Sequence, residues 1–386
     1  MEQNKNIAFE RIYIHYPFCK RFCYYCDFYK EKYDNVLEKR YIKNLQKEIE
    51  YVKEKYKLFP LSSLYIGGGS PSLASPSFFD LIFSHFSFKK NSEVSIEINI
   101  EDISLNLLNT LKNYPFNRIS IGIQNFVENY SFILGRKIDN KLTLRNLEIS
   151  SKFFENISID LLILGFEKDE FKKNIKYLKN VLKDFNIKHI SLYILTLYEK
   201  TYLAKNIEKI IDNFLLKNIK KGSKQNLNKK DLLQRKYIQR KYIDYTYIKY
   251  QEYLDQNNFL QYEVSNFAKP NFLCNHNLAY WIFENYLGLG PSAVSLYKKN
   301  GKFISKINQK NLNFSSYEEE IPLETYLYFR FRSFLGVPYR YLKNKENTRY
   351  LDEFLKKDLI KIENKNIKVT QKGYLLLDYI FDKLFL

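Results

Sequence analysis

The sequence predicts an α/β fold built on parallel strands, followed by a smaller winged-helix-like unit. From residue 11 to about 195, short apolar runs of β type alternate with stretches of helical period, the pattern of repeated βα units that build a parallel sheet or barrel. From Leu323 the chain reads as two helical segments, then LIKIENKNIKVT as a hairpin turning at Asn364 to Asn366, then a final helix. That winged-helix-like order serves DNA binding in some proteins and packing alone in others.

The predicted strands are 11–16, 63–66, 94–98, 118–123, 157–164 and 189–195, and each of the first five gaps can hold a helix. In the first gap Val36, Leu37, Tyr41, Leu45, Ile49 and Val52 fall near helical spacing with charged residues between them, so one face of that helix should lie on the sheet. Polar or glycine residues recur towards the strand ends: Gly67 to Ser70 after the second, Glu97 in the third, Gln124 after the fourth, Asp160 within the fifth. Parallel β/α folds place ligands at the carboxyl ends of their strands, so these residues predict one shared pocket. Residues 205–245 are rich in Lys and Asn, with KNIKKGSKQNLNKK at the centre, and read as an exposed connection leading into a helix over 236–254.

A chain of 386 residues has room for one sizeable domain and at least one smaller unit. With 45% hydrophobic and 17% aromatic residues it can pack a core, which excludes a largely disordered chain. No apolar run approaches the roughly 20 residues of a membrane span, and the polar start MEQNKN lacks the features of a secretory signal. A cytoplasmic location is expected. The net charge of +19 favours anionic partners such as RNA, acidic lipids or propionate-bearing ligands. Lys, Asn, Ile and Tyr are used heavily throughout, however, which reads as a compositional bias. Nucleic acid is therefore not the expected partner, while a peripheral membrane contact and a homodimer stay open.

Four cysteines in a cytosolic chain, three of them within eight residues, point to metal binding or reactive thiols. His15-Tyr-Pro-Phe-Cys-Lys-Arg-Phe-Cys-Tyr-Tyr-Cys-Asp-Phe puts Cys19, Cys23 and Cys26 on a loop directly after the first strand. A four-iron cluster normally takes four thiolates, so three would leave one iron open to a small molecule. Zinc on the three cysteines and His15, or three free buried thiols, are the alternatives. Neither calls for the glycine run Tyr65-Ile-Gly-Gly-Gly-Ser-Pro one βα unit later, whose backbone N–H groups could approach a ligand. Cys274 stands alone and reads as a small buried residue.

The CxxxCxxC spacing, with an aromatic before the last cysteine, and the GGGSP loop resemble the radical-SAM superfamily. In that superfamily the open iron is chelated by S-adenosylmethionine. Within it the chain resembles the coproporphyrinogen dehydrogenase (HemN) group. The segments that carry the resemblance are IYIHYPFCKRFCYYCDF, YIGGGSPSL, IEIN, RISIGIQNF, LGR, IDLLILG, HISLYILT, YEVSNFA, HNLAYW and YLGLGPSA. The resemblance implies a partial parallel (β/α)6 barrel with a C-terminal winged-helix-like HemN-type domain. It implies a 4Fe-4S cluster on Cys19, Cys23 and Cys26, and S-adenosylmethionine contacts from Tyr13, Gly68, Gly69, Ser70, Glu97, Gln124, Arg136 and Asp160. Asp160 and Glu97 would accept from ribose hydroxyls or the amino group, and Arg136 would pair the carboxylate. The expected division is a core over 1–204, the basic connection over 205–245, a region with HNLAYW over 246–322, and the C-terminal unit over 323–386.

True dehydrogenases of the group carry a further cysteine two residues after the third ligand, where this chain has Phe28. The CxxxCxxCxF form and HNLAYW are instead similar to HemW, a branch regarded as haem-binding chaperones that hand haem to acceptor proteins. That resemblance implies haem as cargo, an acceptor protein as partner, and no coproporphyrinogen dehydrogenase activity; a dehydrogenase is the alternative and an RNA-modifying enzyme the weaker one. In HNLAYW, His276 could ligate haem iron while Asn277, Tyr280 and Trp281 lie beside it, or His276 and Asn277 could be satisfied by hydrogen bonds with Trp281 in the core. The chain departs from the family at Glu97-Ile-Asn-Ile, where Asn-Pro is usual, and at Gly165-Phe-Glu-Lys-Asp, where a GLPGQT-like loop is usual.

Overall fold

A computed structural model describes residues 6–219, 229–313, 315–342 and 345–386. Six parallel strands form its centre: β1 (Ala8–Tyr16), β2 (Lys57–Gly68), β3 (Phe88–Asn99), β4 (Arg118–Gln124), β5 (Asn156–Ile163) and β6 (Ile187–Ile194). Helices α1 (Asn35–Lys55), α2 (Pro76–His85), α3 (Leu105–Lys112), α4 (Asn140–Phe153) and α5 (Glu170–Asp184) fill the five gaps between them. The result is the expected partial (β/α)6 barrel.

Every strand alternates residue by residue. Ile12, Ile14, Leu64, Ile66, Val94, Ile96, Ile119, Ile121, Ile157, Ile159, Ile190 and Leu192 share one core with Tyr41, Leu45, Ile49, Phe79, Leu111, Leu147 and Val181 of the helices. The residues between them, among them Ser63, Glu93, Arg118, Ser158 and His189, are also buried but face the other side. The barrel is therefore apolar towards its helices and polar towards its lumen.

α1 shows how the local sequence sets an element. Asp34 caps it by accepting from the N–H groups of Val36 and Leu37, each at 2.9 Å, a contribution of about 1 kcal/mol. Tyr41, Leu45, Ile49 and Val52 are buried on the sheet as the spacing predicts, but Val36 is exposed, and Glu38 and Glu48 are buried with them. Glu48 accepts from Gly290 N at 2.9 Å and from Asn308 Nδ2 at 2.7 Å, so this buried carboxylate joins the helix to a distant part of the chain.

The sheet does not end at β6. Leu287–Leu289 adds a parallel strand beside β1, and Asn266–Ala268 pairs antiparallel with β6, with Leu260–Gln261 outside it. The connection expected over 205–245 is helical on both sides, in Tyr202–Ile219 and Lys229–Gln256; residues 220–228, most of its basic centre, lie outside the described residues. At the C-terminus, Leu323–Phe331 and Lys345–Lys356 precede the hairpin Ile360–Glu363 and Asn366–Val369, and Leu377–Phe385 closes the chain. Asn364 and Lys365 turn the hairpin with φ of 51° and 60°, the left-handed pair of a tight two-residue turn.

Candidate functional site

The three cysteines sit at the carboxyl end of the barrel. After β1 the chain forms a two-residue strand, Phe18–Cys19, which pairs with Glu31–Lys32 and closes the cysteine loop at its base. The far side of the loop is tied down by Tyr24 N to Leu134 O at 2.9 Å and Leu203 N to Tyr24 O at 2.8 Å. Cys19 is buried, and Cys23 and Cys26 are half-buried. Burial pushes the Cys19 thiol up to about 11, against a hydrogen bond from Ser70, with Cys26 and Cys23 close enough to raise it further. Burial also raises the Cys23 thiol, and the Arg136 guanidinium opposes that rise.

Among the described residues, no three His, Cys, Asp or Glu side chains converge on a single ion position. His15 is engaged within the protein, with Nδ1 3.1 Å from Tyr13 Oη and Nε2 2.9 Å from Tyr29 O. The donor set is three thiols of one loop, near enough for Cys23 and Cys26 to raise the Cys19 thiol, and a four-iron cluster takes such thiolates one to an iron. Phe28, two residues after Cys26, is 67% exposed.

The glycine loop lies against the cysteine loop. A Cβ on Gly69 would stand 2.7 Å from Phe18 O, and one on Gly68, at φ +111°, would meet the His15 ring at 2.6 Å. Close backbone approach thus explains the glycines, but the approach is to the protein itself. Gly69 N donates to Tyr16 O at 2.7 Å, Ser70 N to Phe18 O at 2.8 Å, and Gly68 N to Glu97 Oε2 at 3.1 Å. In this arrangement the three N–H groups are spent within the protein, on the end of β1, the cysteine loop and Glu97. Ser70 is buried and accepts from Asn99 Nδ2 at 2.7 Å, which gives Asn99 a place in the site.

Two carboxylates face the lumen from β3 and β5. Glu97 accepts from Tyr65 Oη at 3.0 Å, and burial, with Asp160 nearby, holds its carboxyl up at about 7. Asp160 accepts from Ser120 Oγ at 3.2 Å, and burial raises it against help from Ser191 and Arg118. Gln124 ends β4 at a φ of 70°, and its amide fills the space beside Gly122. Arg136 is buried and its Nη2 donates to Glu101 Oε2 at 2.6 Å and to Gly122 O at 2.7 Å. Its charge is therefore already paired within the protein, and Glu101 is a partner that strand-end reasoning missed.

The HNLAYW segment does not join this mouth. It forms a short helix, Asn275–Trp281, packed on the sheet at the other end of the lumen, near Ser63 of β2 and Glu93 of β3. His276 is fully buried, with Nδ1 2.8 Å from Ser63 Oγ and Nε2 2.7 Å from Tyr280 Oη, and burial lowers it to about 3. Of the two readings of this motif, satisfaction by hydrogen bonds is the one the geometry displays for His276. Asn277 is half-buried; Trp281, also half-buried, lies 5.5 Å from the Phe329 ring and under the Arg332 guanidinium. Cys274 is buried, its thiol pushed up to about 12 by burial and lying 3.4 Å from Glu93 Oε1.

Sequence reasoning also missed Tyr65, Arg118, Ser120 and Ser191, all lumen residues. The signal was present in the strands, because EVSIEIN and RISIGIQ alternate polar and apolar residues throughout.

Residues 13–178 match the family model of the Radical SAM superfamily. The chain is 29% identical over 313 residues to the Heme chaperone HemW of Buchnera aphidicola subsp. Schizaphis graminum (strain Sg), covering 78% of this chain and 74% of that one. It is 28% identical over 403 residues to the Heme chaperone HemW of Lactococcus lactis subsp. lactis (strain IL1403), covering 97% of each. Among solved structures, coproporphyrinogen III oxidase (HemN) from Escherichia coli, a radical SAM enzyme, superposes with a TM-score of 0.69 at 21% identity, over 97% of this chain and 89% of that one, a likeness of fold. Residues 13–178 are thus similar to the Radical SAM superfamily, and the chain is similar, over most of its length, to proteins named HemW.

Proposed function

We propose that this chain is a radical-SAM-type haem chaperone. It holds a 4Fe-4S cluster on Cys19, Cys23 and Cys26, binds S-adenosylmethionine in the adjoining lumen, and passes haem to an acceptor protein. The observation that supports this reading best is the similarity to the Lactococcus lactis HemW over 97% of both chains, together with Phe28 where a dehydrogenase has a further cysteine.

When bound, the cluster supplies an iron with no protein thiolate, to which S-adenosylmethionine can attach. The chain's own residues supply the rest of that site. Cys19 is fixed by the pairing of Phe18–Cys19 with Glu31–Lys32, and its thiol must lose a proton to ligate. Ser70 is hydrogen-bonded to that thiol and is itself held by Asn99. Glu97 and Asp160 present acceptors to the lumen for an amino group or ribose hydroxyls, while Arg136, paired with Glu101, acts as a fixed positive charge beside Cys23. Tyr13 and Gln124 complete the lining. The glycines Gly68 and Gly69 act mainly by letting the two loops meet.

Anaerobic reconstitution with iron and sulfide tests the cluster. A broad absorption near the visible edge, lost in Cys23→Ser, is the expected result, and iron-free protein overturns it. Titration of the reconstituted protein with haem should give a saturable Soret shift, followed by transfer of that band to an apo-haem protein. Formation of protoporphyrinogen from coproporphyrinogen under the same conditions would instead make the chain a dehydrogenase and overturn the reading of Phe28.

A further inference from the structure

HNLAYW contributes His276 to the lumen far from the cysteine loop, yet a short chain of contacts joins it to the mouth. The helix that carries it is held by Glu93, which accepts from Asn275 N at 2.9 Å and His276 N at 3.1 Å. Ser63 and Tyr280 each take one nitrogen of the imidazole, at 2.8 and 2.7 Å, so the ring cannot turn without losing both. The Tyr65 ring stacks on it, with centroids 5.4 Å apart and planes 24° from parallel. Tyr65 in turn gives its hydroxyl proton to Glu97 Oε1 at 3.0 Å, and the other carboxylate oxygen of Glu97 accepts from Gly68 N at 3.1 Å. His276 is fully buried at one end of this path and Glu97 half-buried at the other, in a lumen where side chains have few alternative partners.

We propose that His276 is a positioning residue for Glu97, setting through the stacked Tyr65 ring the carboxylate that faces the S-adenosylmethionine pocket, and not a ligand to haem iron. The inference rests on the reading of that pocket given above. A phenol donating to Glu97 favours its ionised form, and the other groups that bear on Glu97 are Asp160, Arg118, Tyr13, Tyr193 and Tyr280. Of the residues around the imidazole, Tyr65 is the one that both stacks on its ring and hydrogen-bonds to the Glu97 carboxylate, so it is the route by which His276 reaches that carboxylate.

The test uses the full chain and two readouts. The first is the ionisation of Glu97 in cluster-free protein, followed by difference infrared spectroscopy against Glu97→Gln. The second is the dissociation constant of S-adenosylmethionine for cluster-loaded protein, from equilibrium dialysis. Tyr65→Phe and His276→Leu should each move the Glu97 titration to higher pH and weaken S-adenosylmethionine binding about tenfold, the effect of losing one hydrogen bond to a charged group. Because the two residues act in series, the double variant should be no worse than the weaker-binding single one. Tyr280→Phe, which removes only one hydroxyl partner of the imidazole, should shift the titration in the same direction by less, and it carries the test if His276→Leu loses its far-UV circular dichroism.

An unshifted Glu97 titration in folded His276→Leu or Tyr280→Phe overturns the inference, as do additive effects in the double variant. Loss of the haem Soret band in His276→Leu with Glu97 unchanged would make the imidazole an iron ligand. A shifted titration in a protein that binds no S-adenosylmethionine even as wild type leaves the coupling standing and sinks the pocket reading alone.

Discussion

Glu170 begins α5 with its carboxyl fully buried, accepting from Leu164 N at 2.9 Å, Gly165 N at 2.7 Å and Asn125 Nδ2 at 3.1 Å. Three donors organise the loop after β5 around one side chain, which is how this chain builds a turn there from Gly165-Phe-Glu-Lys-Asp. Burial outweighs those donors and holds the carboxyl up at about 7, and Glu97 and Glu263 are raised to about 7 in the same way. A carboxyl whose folded value lies above its unfolded one near 4.5 binds a proton in the folded chain that the unfolded chain has lost. Stability therefore falls as pH rises from 4.5 through 7. The buried histidines act oppositely: His15 and His276 stay neutral when folded, so stability falls as pH drops below 6.5. The two trends offset each other below pH 6.5, leaving the carboxyl trend alone above it. Urea unfolding should show wild-type stability decreasing from pH 6.5 to 8, and Glu170→Gln should flatten that decrease, by up to about 3 kcal/mol over the full titration. An equal pH slope in both proteins would show that Glu170 does not titrate in this range. Glu170 itself was not legible in the sequence, because a carboxylate at a helix start ordinarily reads as a solvent-facing cap.

At the scale of elements, the site is a contact between two loops. The cysteine loop follows β1 and the glycine loop follows β2, and two backbone hydrogen bonds, Gly69 N to Tyr16 O and Ser70 N to Phe18 O, lock them together. The sequence places both loops correctly, since CxxxCxxC and GGGSP each follow a strand. It could not show that Gly69 N and Ser70 N are spent on the neighbouring segment, because that depends on how closely β1 and β2 end together. Gly69→Ala would drive a methyl to 2.7 Å from Phe18 O, and backbone must yield, at a strain of about 1–3 kcal/mol. The side that yields carries Cys19. Reconstituted Gly69→Ala should thus hold less iron per chain than wild type while its far-UV circular dichroism is retained. Full iron content with lowered stability would mean that the strain is taken up elsewhere in β2.

For the whole molecule, six strands, five helices and the wing follow from hydrophobic period and turn residues, which act locally. The return of residues 260–289 to both edges of the sheet does not, because two- and three-residue strands such as Leu260–Gln261 and Leu287–Leu289 leave no periodic signal. Those returning residues also bind the C-terminal unit. Val264 N donates to Arg332 O at 3.0 Å, Phe334 N to Tyr262 O at 3.0 Å, and Phe283 packs edge-on against Tyr326 at 4.9 Å. Core residues of the barrel and of the C-terminal helices, from Ile12 to Phe381, form one continuous cluster. The boundary expected at 323 would suggest two units that melt apart, whereas a shared core predicts one cooperative transition. The chain contains a single tryptophan, Trp281, and it stands at the junction, between Phe329 and Arg332. Its emission therefore reports on that contact alone, while far-UV circular dichroism reports on all helices and strands. In urea the two signals should trace the same curve with one midpoint. A fluorescence change that precedes the loss of circular dichroism would mean that the C-terminal unit leaves first, and that the hydrogen bonds at 262–264 and the Phe283 contact are too weak to couple it to the barrel.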